Sequence, residues 1–289
     1  MAMIHTVGDG EGVRLHVQRM TPEDRPPVAT AILTHGLLND SLANFYFTIA
    51  PPLAAAGVDV VMFDHRGHGR SERPSTGYRL DNFADDMELL LDRLEITGPV
   101  HLVGNCFGGT VAFEYALRHP ERTASVFLIE SKPATMSWST EIAWLLDQAV
   151  PALSDHEDET LAWVTENLGP QKARLARMGA RLVRTTSLAA DIVESRVLTD
   201  EMIGSVRCPV SALYGSESTL ATQRTWLESL LPQTRTIMAP GHNHEVLADA
   251  PALVLPHVLS AILGPGPAQE ALMPNGDAVH GELAQAVDR

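Results

Sequence analysis

The chain has 289 residues, 45% of them apolar and 20% charged, with 21 Lys and Arg against 36 Asp and Glu. A formal charge of −15 argues against nucleic acid as the partner, because phosphate binding draws on clustered basic side chains. The length supports one large domain, or one domain with an insertion, and leaves enough apolar material for a core.

No run of about 18 apolar residues is present, so the sequence offers no membrane span. Its first twenty residues lack a basic stretch followed by an apolar one, and no secretory signal is read there. Two cysteines, Cys106 and Cys208, make no disulfide framework. A cytoplasmic, reducing setting with two free thiols is the expectation.

In chain order, short unbroken apolar runs mark strands at Val28–Thr34, Val58–Phe63, Val100–Gly104 and Ala124–Ile129. Runs of this kind suit a parallel sheet buried on both faces. Helices are expected between them over Leu42–Ala56, Leu80–Leu94 and Gly109–His119, the last stopped by Pro120. This alternation predicts an α/β fold with a doubly wound, mostly parallel sheet. From Lys132 to Val206 the strand pattern gives way to short helices holding Trp138, Trp144 and Trp163. The rhythm resumes with strands at Pro209–Tyr214 and Thr234–Met238, a helix near Thr219–Leu231, and a final helix from Pro251 to about Leu263. The expected organisation is a core of residues 1–131 and 207–264, a helical lid over 132–206, and a loosely held Gly/Pro/Ala-rich tail over 265–289.

The segment Gly104-Asn105-Cys106-Phe107-Gly108 follows a strand and opens a helix. A sharp strand-to-helix turn strains the backbone at its central residue, and flanking glycines let neighbouring chains approach. A thiol there sits at a helix N-terminus, whose dipole favours thiolate over thiol. The pattern is that of a nucleophile elbow with Cys106 in the place usually held by serine.

With His35-Gly36-Leu37, the turn Asp64-His65-Arg66-Gly67-His68-Gly69-Arg70-Ser71 and a late Gly/His segment in this order, the chain resembles the α/β-hydrolase superfamily over about residues 28–263. The resemblance implies an α/β-hydrolase fold and an oxyanion hole made by the backbone N–H groups of Leu37 and Phe107. It also implies that the histidines of the 64–71 turn are scaffold, with no metal site. The base comes from Pro240-Gly241-His242-Asn243-His244. Aligned without gaps on the family pattern, His244 is the base and Asp249 and Pro251 follow at the usual spacing; a plain Gly-His reading points to His242. Asn243 replaces a family glycine and can also take a left-handed backbone. The usual acid slot, four residues into Gly215-Ser216-Glu217-Ser218, holds a serine. Some relatives, among them certain haloalkane dehalogenases, place the acid at the end of the preceding core strand. Glu130 stands there, and a charged residue closing a buried strand needs a partner. Glu130 is therefore the expected acid, with Glu217 the alternative.

Cysteine bears on the reaction. An acyl group on Cys106 is a thioester, level in energy with a thioester on pantetheine, so transfer from thiol to thiol is nearly reversible. A Cys nucleophile in this layout is similar to the stand-alone acyl or aminoacyl shuttles of nonribosomal peptide pathways. That similarity implies ping-pong transfer between carrier proteins, with the pantetheine arm part of the substrate and no separate cofactor. Release to water, as a thioesterase or esterase, is the other reading. Arg174, Arg177, Arg181 and Arg184 fall at i, i+3, i+7 and i+10, on one helical face. They suit either docking of an acidic carrier protein or an ordinary solvated face balanced by the Asp155–Glu159 run. The three lid tryptophans are candidates for an acyl pocket.

Overall fold

The computed structural model describes residues 2–7 and 12–264. Eight strands form one sheet in the order β1-β2-β4-β3-β5-β6-β7-β8. They are β1 (Ala2–Val7), β2 (Val13–Met20), β3 (Ala29–Thr34), β4 (Val58–Phe63), β5 (Val100–Asn105), β6 (Thr123–Ile129), β7 (Val210–Gly215) and β8 (Arg235–Ala239). The six from β3 onward are parallel to their neighbours, while β1 and β2 add an antiparallel edge against β4. Every residue of β4 is buried, as expected of a strand covered on both faces. The edge pair carries no unbroken apolar run, so composition did not mark it.

The helices are α1 (Ala43–Tyr46), α2 (Ala50–Ala55), α3 (Leu80–Arg93), α4 (Phe107–Arg118), α5 (Met136–Ser154), α6 (Glu157–Leu168), α7 (Pro170–Thr185), α8 (Leu188–Asp191), α9 (Asp200–Gly204), α10 (Gln223–Leu230), α11 (Val246–Asp249) and α12 (Pro251–Leu263). The single helix expected over 42–56 is broken into α1 and α2. Pro51 and Pro52 supply no amide donors, so they can only open a new helix, and they sit in the first turn of α2. The stretch 219–231 likewise begins as a 3₁₀ turn, Thr219–Thr222, before α10. Helices α5 to α9 all lie between β6 and β7. The proposed flexible tail, 265–289, lies outside the described residues. Among those described, no helix is long and apolar enough to cross a membrane.

One face of the sheet packs on α3, α4 and the inserted helices through Leu102, Val111, Phe113, Leu128, Tyr115 and Leu182. The other packs on α2 and α12 through Leu53, Val60, Phe127, Leu213, Val254 and Val258. Parallel order brings the C-terminal ends of β3, β5, β6 and β7 to one edge, where the side chains singled out by sequence converge.

Candidate active site

Cys106 links β5 to α4 with φ 52° and ψ −121°. A residue bearing a Cβ rarely adopts that region. The turn is held because the Cys106 N–H donates to Ile129 O at 2.9 Å and the Gly109 N–H to Cys106 O at 3.0 Å. Glycine is obligatory on both sides. A Cβ on Gly104 would stand 2.3 Å from Gly109 N, and one on Gly108 would stand 2.0 Å from Thr34 O. Four non-glycine residues among those described have left-handed φ: Leu38, Glu95, Cys106 and Glu130. Two of the four, Cys106 and Glu130, are candidate site residues, and Leu38 follows the candidate Leu37, a clustering expected where strain is held for function.

His244 lies in the loop between β8 and α11. Its Nδ1 is 3.2 Å from Glu130 Oε2, and Cys106 lies near enough to act on the same ring. The imidazole pKa is pushed up to about 10, first by Cys106 and then by Glu130, against the opposing pull of burial. A ring held between two groups that accept its protons stays imidazolium. Glu130 is fully buried at the end of β6. Its carboxylate takes hydrogen bonds from Gly215 N–H and from Ser218 Oγ–H, the latter at 2.5 Å, besides the bond to His244. The buried charge is therefore surrounded by three donors.

The alternatives stand apart from this group. His242 is placed by its backbone, its carbonyl accepting the Glu217 N–H at 2.9 Å, and Glu217 itself is exposed. Asn243 does not take a left-handed backbone; Gly241 does, with φ 71°. Asn243 instead uses its side-chain carbonyl to accept the Glu245 N–H at 2.9 Å, a local turn that Asn forms readily.

The loop after β3 lies against the thiol: a Cβ on Gly36 would be 3.5 Å from Cys106 Cβ. Asp40 pins this loop by accepting the Gly36 N–H and the Ser41 N–H, each at 2.7 Å, and His68 Nε2 accepts the Leu38 N–H at 3.0 Å. Among the described residues the Leu37 amide has no protein acceptor. Phe107, as the first residue of α4, has no carbonyl one turn back to receive its own amide. These are the two donors expected of an oxyanion hole.

The histidines of the 64–71 turn, His65 and His68, are buried. Asp64 accepts from His16 Nδ1 and from the amides of Leu42 and Arg70. His35 Nε2 accepts the His65 N–H at 3.0 Å. Burial together with the neighbouring His35 holds His65 well below the usual histidine range and brings His68 down to about 3. Among the described residues no group of His, Cys, Asp and Glu is arranged to hold a metal.

Helix α7 roofs the site. A Cβ on Gly179 would lie 2.5 Å from Asn39 Oδ1, and one on Gly67 would lie 2.6 Å from Leu182 Cδ1. At its other end Lys172 Nζ meets Glu245 Oε2, next to His244, at 3.1 Å. Arg174, Arg177, Arg181 and Arg184 are all exposed, and Arg184 pairs with Glu157 of α6. Trp138 is buried with its ring stacked 6.5 Å from that of Phe107. Trp144 and Trp163 are 66% and 58% exposed, so the acyl-pocket assignment fails for these two. Sequence reading noted Ser218 only as a missing acid; its bond to Glu130 was signalled by its place in the acid slot. Asp40 and the Asn39–Gly179 contact carried no signal, because both depend on tertiary packing.

Residues 32–183 match the family model for the alpha/beta hydrolase fold. The chain belongs to that family. It is 33% identical over 133 residues to the non-heme chloroperoxidase of Streptomyces lividans, covering 45% of this chain and 46% of that protein. The match thus spans about half the chloroperoxidase. It is 26% identical over 219 residues, 71% of this chain and 81% of the other, to RutD of Caulobacter sp. (strain K31), a carbamate hydrolase by name. A carboxylesterase structure from the thaumarchaeon Nitrososphaera gargenis superposes with a TM-score of 0.74 at 16% identity, over 89% of this chain and 97% of that one. Of the two sequence relatives, RutD carries a hydrolase name and the Streptomyces protein a peroxidase name.

Proposed function

We propose that this alpha/beta hydrolase is a cysteine-dependent acyl hydrolase acting on an ester or thioester. The observation that carries the reading is a single imidazole, His244, hydrogen-bonded to the buried Glu130 carboxylate and raised in pKa by both Cys106 and Glu130. The geometry resembles a nucleophile–base–acid relay.

In that reading Cys106 attacks as thiolate, its proton resident on His244. The new S–C bond forms as the carbonyl π pair moves to oxygen, and the Leu37 and Phe107 amides stabilise the oxyanion. Collapse breaks the bond to the leaving alkoxide or thiolate, which takes the His244 proton. Water then adds to the acyl-cysteine while His244 accepts its proton, and the free acid departs. Glu130 keeps the ring oriented and balances its charge throughout. The hydrolase name of RutD, matched over 81% of its length, favours water as the acceptor.

A second reading, transfer of the acyl group to another thiol, draws on two features: the sulfur nucleophile and the exposed arginines of α7. The same helix touches the His244 loop through Lys172, so a carrier docked on it would stand beside the catalytic candidates. Carrier proteins and their pantetheine arms are the partners this reading requires.

Intact-mass measurement after mixing with an acyl thioester tests both readings. An acyl adduct on wild type that is absent from Cys106→Ala, followed by free acid without an added thiol, supports hydrolysis. Turnover only when a carrier thiol is supplied supports transfer. An adduct and turnover that survive Cys106→Ala would sink both.

A further inference from the structure

At the end of the sheet away from Cys106, a pocket of about 200 Å³ opens between the starts of β6, β7 and β8 and the second half of α12. That volume is many times the ~10–15 Å³ a single water requires. It interrupts a layer that is otherwise apolar, the packing of α12 on the sheet through Phe127, Leu213, Val254 and Val258. Its polar lining comes from Ser125, Ser211, Arg235, His257 and Ser260.

Register explains the grouping. Phe127 pairs with Ser211 across β6 and β7, and Ser211 with Arg235 across β7 and β8. Ser125 lies two residues before Phe127 and so shares its face. Hydroxyl, hydroxyl and guanidinium therefore line one side of the cleft, and His257 and Ser260, three apart on α12, line the other.

Every polar side chain in this lining can donate, and none is a carboxylate. Arg235 makes no ion pair among the described residues, in a chain carrying 36 acids against 21 bases. Ser211 and Ser260 have no side-chain hydrogen bond among them either, while Ser125 Oγ meets His101 Nδ1 at 2.8 Å. His257 Nδ1 is shut off from solvent with no protein partner. A buried nitrogen without an acceptor is best left unprotonated, which puts the ring proton on Nε2. Burial and the facing Arg235 both hold His257 below the usual histidine range.

We infer that this cleft is a binding site for a small oxyanion of the phosphate class, held by Arg235, the hydroxyls of Ser211 and Ser260, and His257. Planar guanidinium and converging hydroxyl donors match phosphate oxygens. The ligand would tie β7 and β8 to α12, the elements that bracket the His244 loop. This site is independent of the hydrolase reading.

Inorganic phosphate, sulfate and chloride titrated at matched ionic strength test it on the full chain. Phosphate should raise the melting temperature with the logarithm of its concentration above Kd, by several degrees at about 100 times Kd. Chloride should do little. The His257 ring resonances should titrate about one pH unit higher with phosphate bound, because an anion favours the charged ring. Arg235→Met should abolish the thermal shift. Ser211→Ala, a smaller change, should weaken phosphate binding several-fold and serves if Arg235→Met folds poorly. Equal stabilisation by chloride, an unmoved His257 titration, or phosphate binding unaffected by Ser211→Ala and Arg235→Met would show a merely hydrated cleft and overturn the assignment.

Discussion

Replacing Glu130 by Gln alters one heavy atom of a fully buried side chain, yet three donors meet there. Gly215 N–H, Ser218 Oγ–H and His244 Nδ1 all point at its two oxygens, and both Ser218 and His244 share Oε2. An amide offers one oxygen and one NH₂. If the oxygen faces Gly215, the NH₂ faces the hydroxyl and the imidazole, and a donor meets donors. If it is flipped, a buried backbone N–H is orphaned, costing about 1–3 kcal/mol. Either way His244 loses the anion that fixes its tautomer, and the variant should retain its fold while losing turnover. The analogous loss in an acid–histidine relay is about 10⁴ in kcat; with His244 46% exposed on its side chain, water replaces part of the lost support, and we expect about 10³, or ~4 kcal/mol. The pH profile should shift with it. In the wild type His244 remains protonated up to about 10, so the alkaline limb of kcat, where the leaving group loses its proton donor, lies near there. In Glu130→Gln it should move down toward the ordinary histidine range, since one of the two groups that raise the ring is gone. Rates of acyl-thioester cleavage from pH 5 to 11, with the melting temperature as a folding control, measure both. Activity within tenfold of wild type and an unmoved alkaline limb would refute the relay through Glu130.

Other outcomes follow from the same geometry. Cys106→Ser should form the acyl-enzyme at least tenfold more slowly in a single-turnover experiment, because a hydroxyl at this site lacks the thiolate's ready ionisation; an equal rate would remove the case for sulfur. Gly108→Ala should fail to give soluble folded protein, its Cβ standing 2.0 Å from Thr34 O; a normal thermal melt would contradict the packing of α4 on β3. Paired Arg174→Glu and Arg177→Glu should raise KM several-fold for a carrier-bound donor and leave a small thioester unaffected, whereas parallel changes in both would reject docking on α7. Stability should also depend on pH through His244. Its folded pKa lies above the unfolded value near 6.5, so its contribution is complete below that pH and is lost as pH rises through about 10. Urea midpoints should fall between pH 7 and 10 in wild type and fall less in His244→Gln.

The sheet from β3 to β8 was legible because buried parallel strands leave unbroken apolar runs, and each expected strand lies within one or two residues of the observed one. The elbow was legible because steric demand fixes glycine at 104 and 108 whatever surrounds them. The antiparallel edge was not, since β2 alternates side chains that meet different environments, with Leu15 and Val17 fully buried and Arg14 exposed. The break between α1 and α2 was written in Pro51 and Pro52, but a continuous apolar pattern across 42–56 outweighed it. At the site, chain position alone could rank His244 over His242 and Glu130 over Glu217. Which histidine faces Cys106 and Glu130 is decided by where the 240–245 loop turns, a matter of tertiary contact. Lid tryptophans read alike in sequence, and only the packing on Phe107 distinguishes Trp138 from the exposed pair.

On the proposed relay, strand geometry accounts for an acid at the end of β6 in place of one after β7. β6 and β7 are parallel neighbours in register, with Ile129 opposite Leu213, and adjacent strands stand about 4.8 Å apart. The end of β6 and the turn after β7 are thus two platforms facing one point in space. A glutamate has one methylene more than an aspartate, and the left-handed backbone of Glu130 (φ 48°) turns its side chain across the gap. Its Oε2 arrives within 2.5 Å of the Ser218 hydroxyl, in the slot an acid after β7 would fill. The direction of that bond follows from the carboxylate, which can only accept: Ser218 Oγ gives it a proton while accepting the Leu220 N–H at 3.2 Å. On the proposed relay Ser218 is a positioning residue, its hydroxyl bonded to the Glu130 carboxylate. On this geometry the two sites are exchangeable: Ser218→Asp should restore part of the turnover lost in Glu130→Ser, whereas Ser218→Asp alone would crowd two carboxylates and lower activity. Failure of the double variant to exceed Glu130→Ser in kcat, with folding intact, would mean that His244 is oriented by something other than a carboxylate at this point.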